Sequence, residues 1–419
     1  MDEYLAARNA ARTAGKRPAP DTDPHPQHGS SSRDNGPQVP FNVSHALITG
    51  CPICPQEDDF IRATPNPNLS RCSACKVVYY CSPAHQAADR AAHKTFCKRV
   101  QKATFIFEKE QAALKAYKGI TDWRKVFETP LEDFRGYEEG RRYIKAGKEF
   151  VHELLRFNTK AAVEKALLWT LALMKLSPKD PSGLRCITPF LYIRTGRDQE
   201  CYDYCKWWVT EGTHKEHAWD SEDLPLTGED PLESAEVFER IRDYGADPPR
   251  RTDLSFLLAV LLLKIRMLSD VKFLRNHKGD DVAFKGDNFA FWSISSIVYE
   301  DIWDDREGEQ YLPPIKELEN QVRRLFRAVG RANKYFWLGF IEKSKHLAAT
   351  PLSHGLGDEA EMQIKLQECY NAWMETRGAD GYIWELMGKI DPRWFRMNEV
   401  NGHSLHLRQC EFSVQYVVL

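Results

Sequence analysis

Six cysteines and two histidines fall between positions 51 and 97: Cys51, Cys54, Cys72, Cys75, Cys81, His85, His93 and Cys97. Thiolate and imidazole are the ligands zinc takes, four to an ion in a tetrahedron. A Cys-x2-Cys turn is short enough for both sulfurs to reach one ion. A His and a Cys four residues apart share one helix face. The spacing therefore makes four half-sites, Cys51/Cys54, Cys72/Cys75, Cys81/His85 and His93/Cys97. Four pairs fill two four-ligand sites with no vacancy. Such closed sites are structural, because catalytic zinc keeps a position open for water. Spacing alone leaves open which pairs share an ion.

The pattern C-x2-C-x17-C-x2-C-x5-C-x3-H-x7-H-x3-C resembles a MYND zinc finger. The resemblance implies cross-bracing, with the first and third pairs on one zinc and the second and fourth on the other. Site one is then Cys51, Cys54, Cys81 and His85, and site two is Cys72, Cys75, His93 and Cys97, with two Zn2+ per chain. His85 stands where such fingers more often have cysteine. The resemblance also implies a groove for proline-containing peptides. Gln86 matches the family's groove glutamine, whereas Arg90 stands where a tryptophan is usual. A guanidinium pairs well with carboxylate, so acidic, proline-containing peptides are the expected ligands.

The elements around these ligands follow from composition. Residues 1–44 are rich in Pro, Gly, Ser and Asp and read as a disordered tail. Residues 45–100 make the finger, with "PQEDDFIRATPNPNLSR" as a surface insertion, "KVVYY" (76–80) as a short strand and a helix leaving the cluster after Pro83. Residues 101–400 read as a mainly α-helical, repeat-like domain. Tyr143, Ile144, Phe150, Val151, Leu154 and Leu155 stripe one helix; Ala162, Val163, Ala166, Leu167, Leu171 and Met174 the next; Cys201, Cys205 and Trp208 another. Further helices are expected over 252–272, 313–343 (a pair), 357–377 and 381–396. The break "LSPKDP" resembles the close of tetratricopeptide units, and "GRDQECYDYCKWW", "FLLAVLLLKIRML" and "SHGLGDEAEMQIKLQECYNAWMET" resemble the helical domain of fungal proteins that pair a MYND finger with a tetratricopeptide-like region. The C-terminal tail, 401–419, alternates as a possible strand.

Net charge is -2, and residues 45–100 carry seven Lys/Arg against four Asp/Glu. With six thiolates and two zinc ions the segment sums to about +1. There is no Arg-rich recognition helix, so a nucleic-acid partner is not expected. The N-terminus has no apolar secretory segment, and the longest apolar run, 254–263, is about half a membrane span. An intracellular protein, nuclear or cytoplasmic, is expected.

Other reactive residues are assigned to bland roles. Cys201 and Cys205 read as core thiols. His214, His217, His403 and His406 read as solvated. Trp207 and Trp208 read as core, with a peptide-pocket wall as the alternative. The SET-type lysine methyltransferases, one family of which carries a MYND insertion, need an Asn-His-x-Cys and a C-terminal cysteine cluster. This chain offers only "NGHS" (401–404) and, late in the sequence, Cys369 and Cys410. The expectation is a non-enzymatic protein-interaction module. The alternative is a transcription-linked regulator that contacts DNA or chromatin, marked by a basic surface stripe. The finger, poor in apolar residues, is expected to fold on its metal while the helical domain stands on its own core.

Overall fold

The computed structural model describes residues 47–54, 68–117, 138–176, 183–210, 212, 227–239, 253–276, 293–299 and 315–390. The expected N-terminal tail, most of the finger insertion, His214, His217, Cys410 and everything after 390 lie outside these residues, the C-terminal strand and "NGHS" included.

The finger contributes a two-stranded antiparallel ladder, β1 (Ser70–Arg71) and β2 (Tyr79–Tyr80), paired Ser70 to Tyr80 and Arg71 to Tyr79. The strand expected over 76–80 shrinks to two residues. Lys76 sits at φ 61 and turns the chain back, so that its N–H reaches the Cys72 carbonyl at 3.0 Å. The helix expected after Pro83 is two helices, α1 (Pro83–Ala88) and α2 (Arg90–Ala116). Ser82 caps α1, its hydroxyl accepting from His85 N at 3.2 Å, with Pro83 in the first turn. Asp89 separates the two helices but stays in the right-handed helical region, and its carboxylate is taken by the Tyr80 hydroxyl at 2.6 Å rather than capping α2.

The helices that follow are α3 (Glu138–Leu154), α4 (Lys160–Leu176), α5 (Leu184–Arg194), α6 (Asp198–Thr210), α7 (Glu236–Glu239), α8 (Leu254–Asn276), α9 (Ile315–Ala332), α10 (Phe336–Ile341), α11 (Lys343–Leu347), α12 (Glu359–Glu375) and α13 (Ala379–Ile390). The predicted stripes on α3 and α4 are buried, apart from half-buried Leu155 and Leu171. The break between α5 and α6 falls at Gly196, whose φ of 73 favours a residue without Cβ. Its N–H caps the Ile193 carbonyl at 3.1 Å.

From α3 to α6 each helix packs on the next, as in a repeat array. Then α8 changes the plan. Every residue from Leu254 to Leu268 is buried, and α8 packs against α5, α6, α7, α9, α12 and α13. A helix apolar all round is a core helix. In a linear array each unit touches only its neighbours, whereas here α8 gathers early and late helices onto one axis. No helix among the described residues is long and apolar enough to cross a membrane.

The finger and the helices share one continuous core, running from Leu47 and Cys72 through Phe157 to Met387. The boundary expected at 100/101 lies inside α2. The first half of that helix carries zinc ligands. Its second half lays Phe107 on Tyr143 and Phe150 of α3, with ring centroids 4.9 and 5.5 Å apart, and edge-on to Trp169 of α4 at 5.0 Å. Gly147 permits this approach, since a Cβ there would meet Leu173 at 2.7 Å and Phe107 at 3.0 Å.

Candidate metal centre

Each donor is placed by a different local device. Cys51 and Cys54 sit on one turn, with the Cys54 N–H on the Cys51 carbonyl at 3.2 Å. Cys72 and Cys75 occupy the knuckle closed by Lys76, pinned by Cys72 N to Val78 O at 2.9 Å. Cys81 follows β2, and His85 lies in the first turn of α1. His93 and Cys97 are one turn apart on α2.

The eight donors gather into two groups, Cys51, Cys54, Cys81 and His85, and Cys72, Cys75, His93 and Cys97. Within each group all ligand atoms lie within 4.8 Å of one another. A zinc tetrahedron with Zn–S near 2.3 Å and Zn–N near 2.05 Å has edges of about 3.8 Å between sulfurs and about 3.6 Å from sulfur to nitrogen. In site one His85 Nδ1 lies 3.6, 3.4 and 3.1 Å from the sulfurs of Cys51, Cys54 and Cys81, and Cys54 lies 3.5 Å from Cys81. In site two Cys72 lies 3.9 Å from Cys97, and Cys75 3.7 Å from His93 Nε2. These are the edges of two zinc-sized tetrahedra, one met by Nδ1 and the other by Nε2. The pairing that spacing left open is the cross-braced one.

The donor chemistry asks for a cation. The neighbouring Cys81 thiol, burial and the charge of Cys51 push Cys54 up to about 11. Burial and the charges of Cys72 and Cys97 push Cys75 up to about 12. Burial resists ionisation of Cys51 too, but hydrogen bonds from the Cys81, Ile53 and Cys54 backbone and from His85 bring it down to about 6. Burial holds His93 below the usual imidazole range, in the neutral form that ligates. Three thiolates packed this closely are compatible only around a positive ion. A zinc ion in each site would lock together segments with little apolar surface. Site two is buried at every ligand, whereas Cys81 of site one is exposed and Cys54 and His85 are half-buried.

Gln86 and Arg90 are both exposed. Asp89 keeps the helical path, with Asp89 N on His85 O at 3.0 Å and His93 N on Asp89 O at 2.9 Å, so Gln86 and Arg90 remain about one turn apart. Arg90 also begins something that the summed charge of residues 45–100 conceals. Arg90, Lys94, Lys98, Lys102, Phe105 and Lys109 follow one another at steps of four, four, four, three and four along α2, all exposed. They form a basic stripe, the feature expected of the DNA-contacting alternative.

The remaining sequence candidates that lie among the described residues resolve as core. Cys201, Cys205 and Cys369 are fully buried. Trp207 and Trp208 are buried against each other at 4.8 Å, and Trp208 stacks on Phe256 at 6.5 Å. One polar centre had no signal in the sequence. In the core, Arg266 of α8 donates to Asp198 of α6 at 3.0 Å and to Thr376 at 3.3 Å, and Asp198 accepts from Ser296 N at 3.2 Å. Burial pushes the Asp198 carboxyl up even against the Arg266 charge. A second buried pair, Arg194 with Glu375 at 2.8 Å, ties α5 to α12.

The sequence profile of the MYND finger family matches residues 51–97, and this segment is a MYND finger. No curated protein and no solved structure matches the chain.

Proposed function

We propose that the chain is an intracellular protein-interaction module, in which the two-zinc finger presents Gln86 and Arg90 to acidic, proline-containing peptides and the helical body, repeat-like from α3 to α6 and closed around α8, serves as scaffold. The observation that carries this reading is the closure of both zinc sites. Four protein ligands in each leave no coordination position for substrate or water, so the metal builds a surface instead of a reaction centre. On that surface Gln86 and Arg90 are exposed at the turn between α1 and α2. The amide supplies donor and acceptor groups for a peptide backbone. The guanidinium supplies a planar fork for a carboxylate.

The test is a peptide array read at two ionic strengths, with wild type and Arg90→Trp side by side. Acidic proline-containing peptides should bind wild type better than neutral ones, by less than about fivefold for a single exposed pair. The margin should shrink with salt and vanish in Arg90→Trp. No binding by either protein would remove the groove.

A further inference from the structure

We propose that the solvent face of α2 is a second docking surface, for an acidic helical segment of a partner protein. The proposal rests on the interaction-module reading but uses residues beyond the Gln86–Arg90 groove.

Between Arg90 and Phe107, α2 contains no acidic residue. Arg99, off the stripe, is paired with Glu153 at 2.7 Å. Arg90, Lys94, Lys98, Lys102 and Lys109 have no ion-pair partner among the described residues. Like charges four apart on a helix repel, and an ordinary solvated face intersperses glutamate to relieve this. The stripe also begins at the helix N-terminus, where the backbone dipole already favours anions over cations. A protein of net charge -2 thus concentrates on one line cations that no described residue neutralises, and an anionic partner would relieve their mutual repulsion.

The stripe is not purely charged. Phe105, 68% exposed, lies within it, and Ile106, 40% exposed, lies beside it. Cations at every fourth residue stand about 6 Å apart along the axis. A partner helix with carboxylates at every fourth residue repeats at that spacing, and one apolar residue on it would cover Phe105. Nucleic acid fits less well. The chain's pI of about 6.7 gives no long-range attraction for a polyanion, and Gln101 is the one exposed amide on α2 that could read a base edge. A membrane would need a continuous apolar face, and here cations occupy its centre.

The experiment uses the full zinc-loaded chain and fluorescence anisotropy. The probe is a helical peptide about 20 residues long, which spans about 30 Å, with Glu at every fourth position and Leu facing Phe105. Controls are the same peptide with Gln or Lys for Glu, single-stranded DNA of matching length, and vesicles containing phosphatidylserine. Lys94→Glu with Lys98→Glu should weaken the Glu peptide roughly tenfold and gain binding to the Lys peptide; Phe105→Ser should weaken it severalfold. Added salt should weaken it as well. Circular dichroism and zinc content check the variants' fold. Equal binding of the Gln peptide, indifference to the charge reversal, or no binding by the Glu peptide would overturn the proposal. Tighter binding of DNA or vesicles than of the Glu peptide would do so too, and would assign the stripe to that ligand. The Arg90→Trp array runs in parallel. Array binding with no response to the Glu peptide sinks only the stripe; the reverse sinks only the groove.

Discussion

The Thr159 hydroxyl donates to the Val77 carbonyl at 2.7 Å, joining the zinc knuckle to the helical body across 82 residues of sequence. The same oxygen accepts from Ala162 N at 3.3 Å and so caps α4. Around it, Ile48 N bonds Asn158 O and Lys160 N bonds Ile48 O, each at 2.9 Å. Thr159→Val therefore removes a helix cap and strands a buried carbonyl. It should cost about 1–3 kcal/mol in chemical denaturation and speed zinc loss to a chelator, while Thr159→Ser should stay close to wild type. Unchanged zinc kinetics in Thr159→Val would show that the contact does not brace the knuckle.

Zinc should leave in two steps. Site one, with Cys81 exposed, should surrender its ion to a chelator before the fully buried site two. Mass spectrometry of the intact protein during chelation should pass through a one-zinc species, and Cys81→Ser should already lack one ion. Loss of the second should loosen more than residues 51–97, since His93 packs on Phe157 at 5.5 Å and Cys97 belongs to the common core. Amide exchange that rises within the finger and nowhere in α2 or α3 would contradict the shared core.

Asp270 gives stability a distinct pH dependence. Burial pushes its carboxyl up to about 6, against hydrogen bonds from Ser295 N, Ile294 N and the Ser293 hydroxyl. A folded-state value above the unfolded one means the native state holds the proton more tightly. The contribution is fully present below about pH 4 and is lost as pH rises through about 6, a change of about 3 kcal/mol at most. Zinc release also destabilises the protein in acid, so the measurement is the difference in unfolding free energy between wild type and Asp270→Asn. That difference should move against wild type from pH 4 to 6.5 and then level off. A flat difference would show that Asp270 is ionised throughout.

Breaking the Arg266–Asp198 pair from one side should be worse than removing it. Arg266→Met leaves a buried carboxylate without its cation and should cost about 3–5 kcal/mol. Adding Asp198→Leu should recover part of the loss. A double variant less stable than Arg266→Met alone would mean that packing, not charge, dominates at this junction.

How far the sequence reaches differs from one element to the next. The eight ligands were legible because metal geometry imposes short, fixed spacings on the chain. The stripes of α3 and α4 were legible because burial on one face imposes the helical period. The 76–80 strand was overextended because the left-handed turn at Lys76 is set by knuckle closure, which residue type does not report. The helix after Pro83 read as one because Asp89, which separates α1 from α2, is neither Pro nor Gly. The Arg-x3-Lys-x3-Lys-x3-Lys series was in plain view, but a charge summed over the segment erased its one-sidedness. Lys264 and Arg266 follow the apolar run 254–263 in the sequence. Both are buried, Lys264 donating to the carbonyls of Pro231 and Glu233 and Arg266 to Asp198. Such partners lie far off in sequence, so no local pattern marks them.

One consequence of α2 concerns the entropy of whatever binds along it. Its inner face is held along its length by Val100, Ala103, Phe107 and Leu114, and its first turns by two zinc ligands. The backbone beneath Lys94, Lys98 and Lys102 is therefore preorganised before any encounter. A ligand laid on that face need not order a loop or fold a helix. It would freeze only lysine side chains, at about 0.5–1.5 kcal/mol each. Thin contacts can suffice under those terms, and exchange can stay fast.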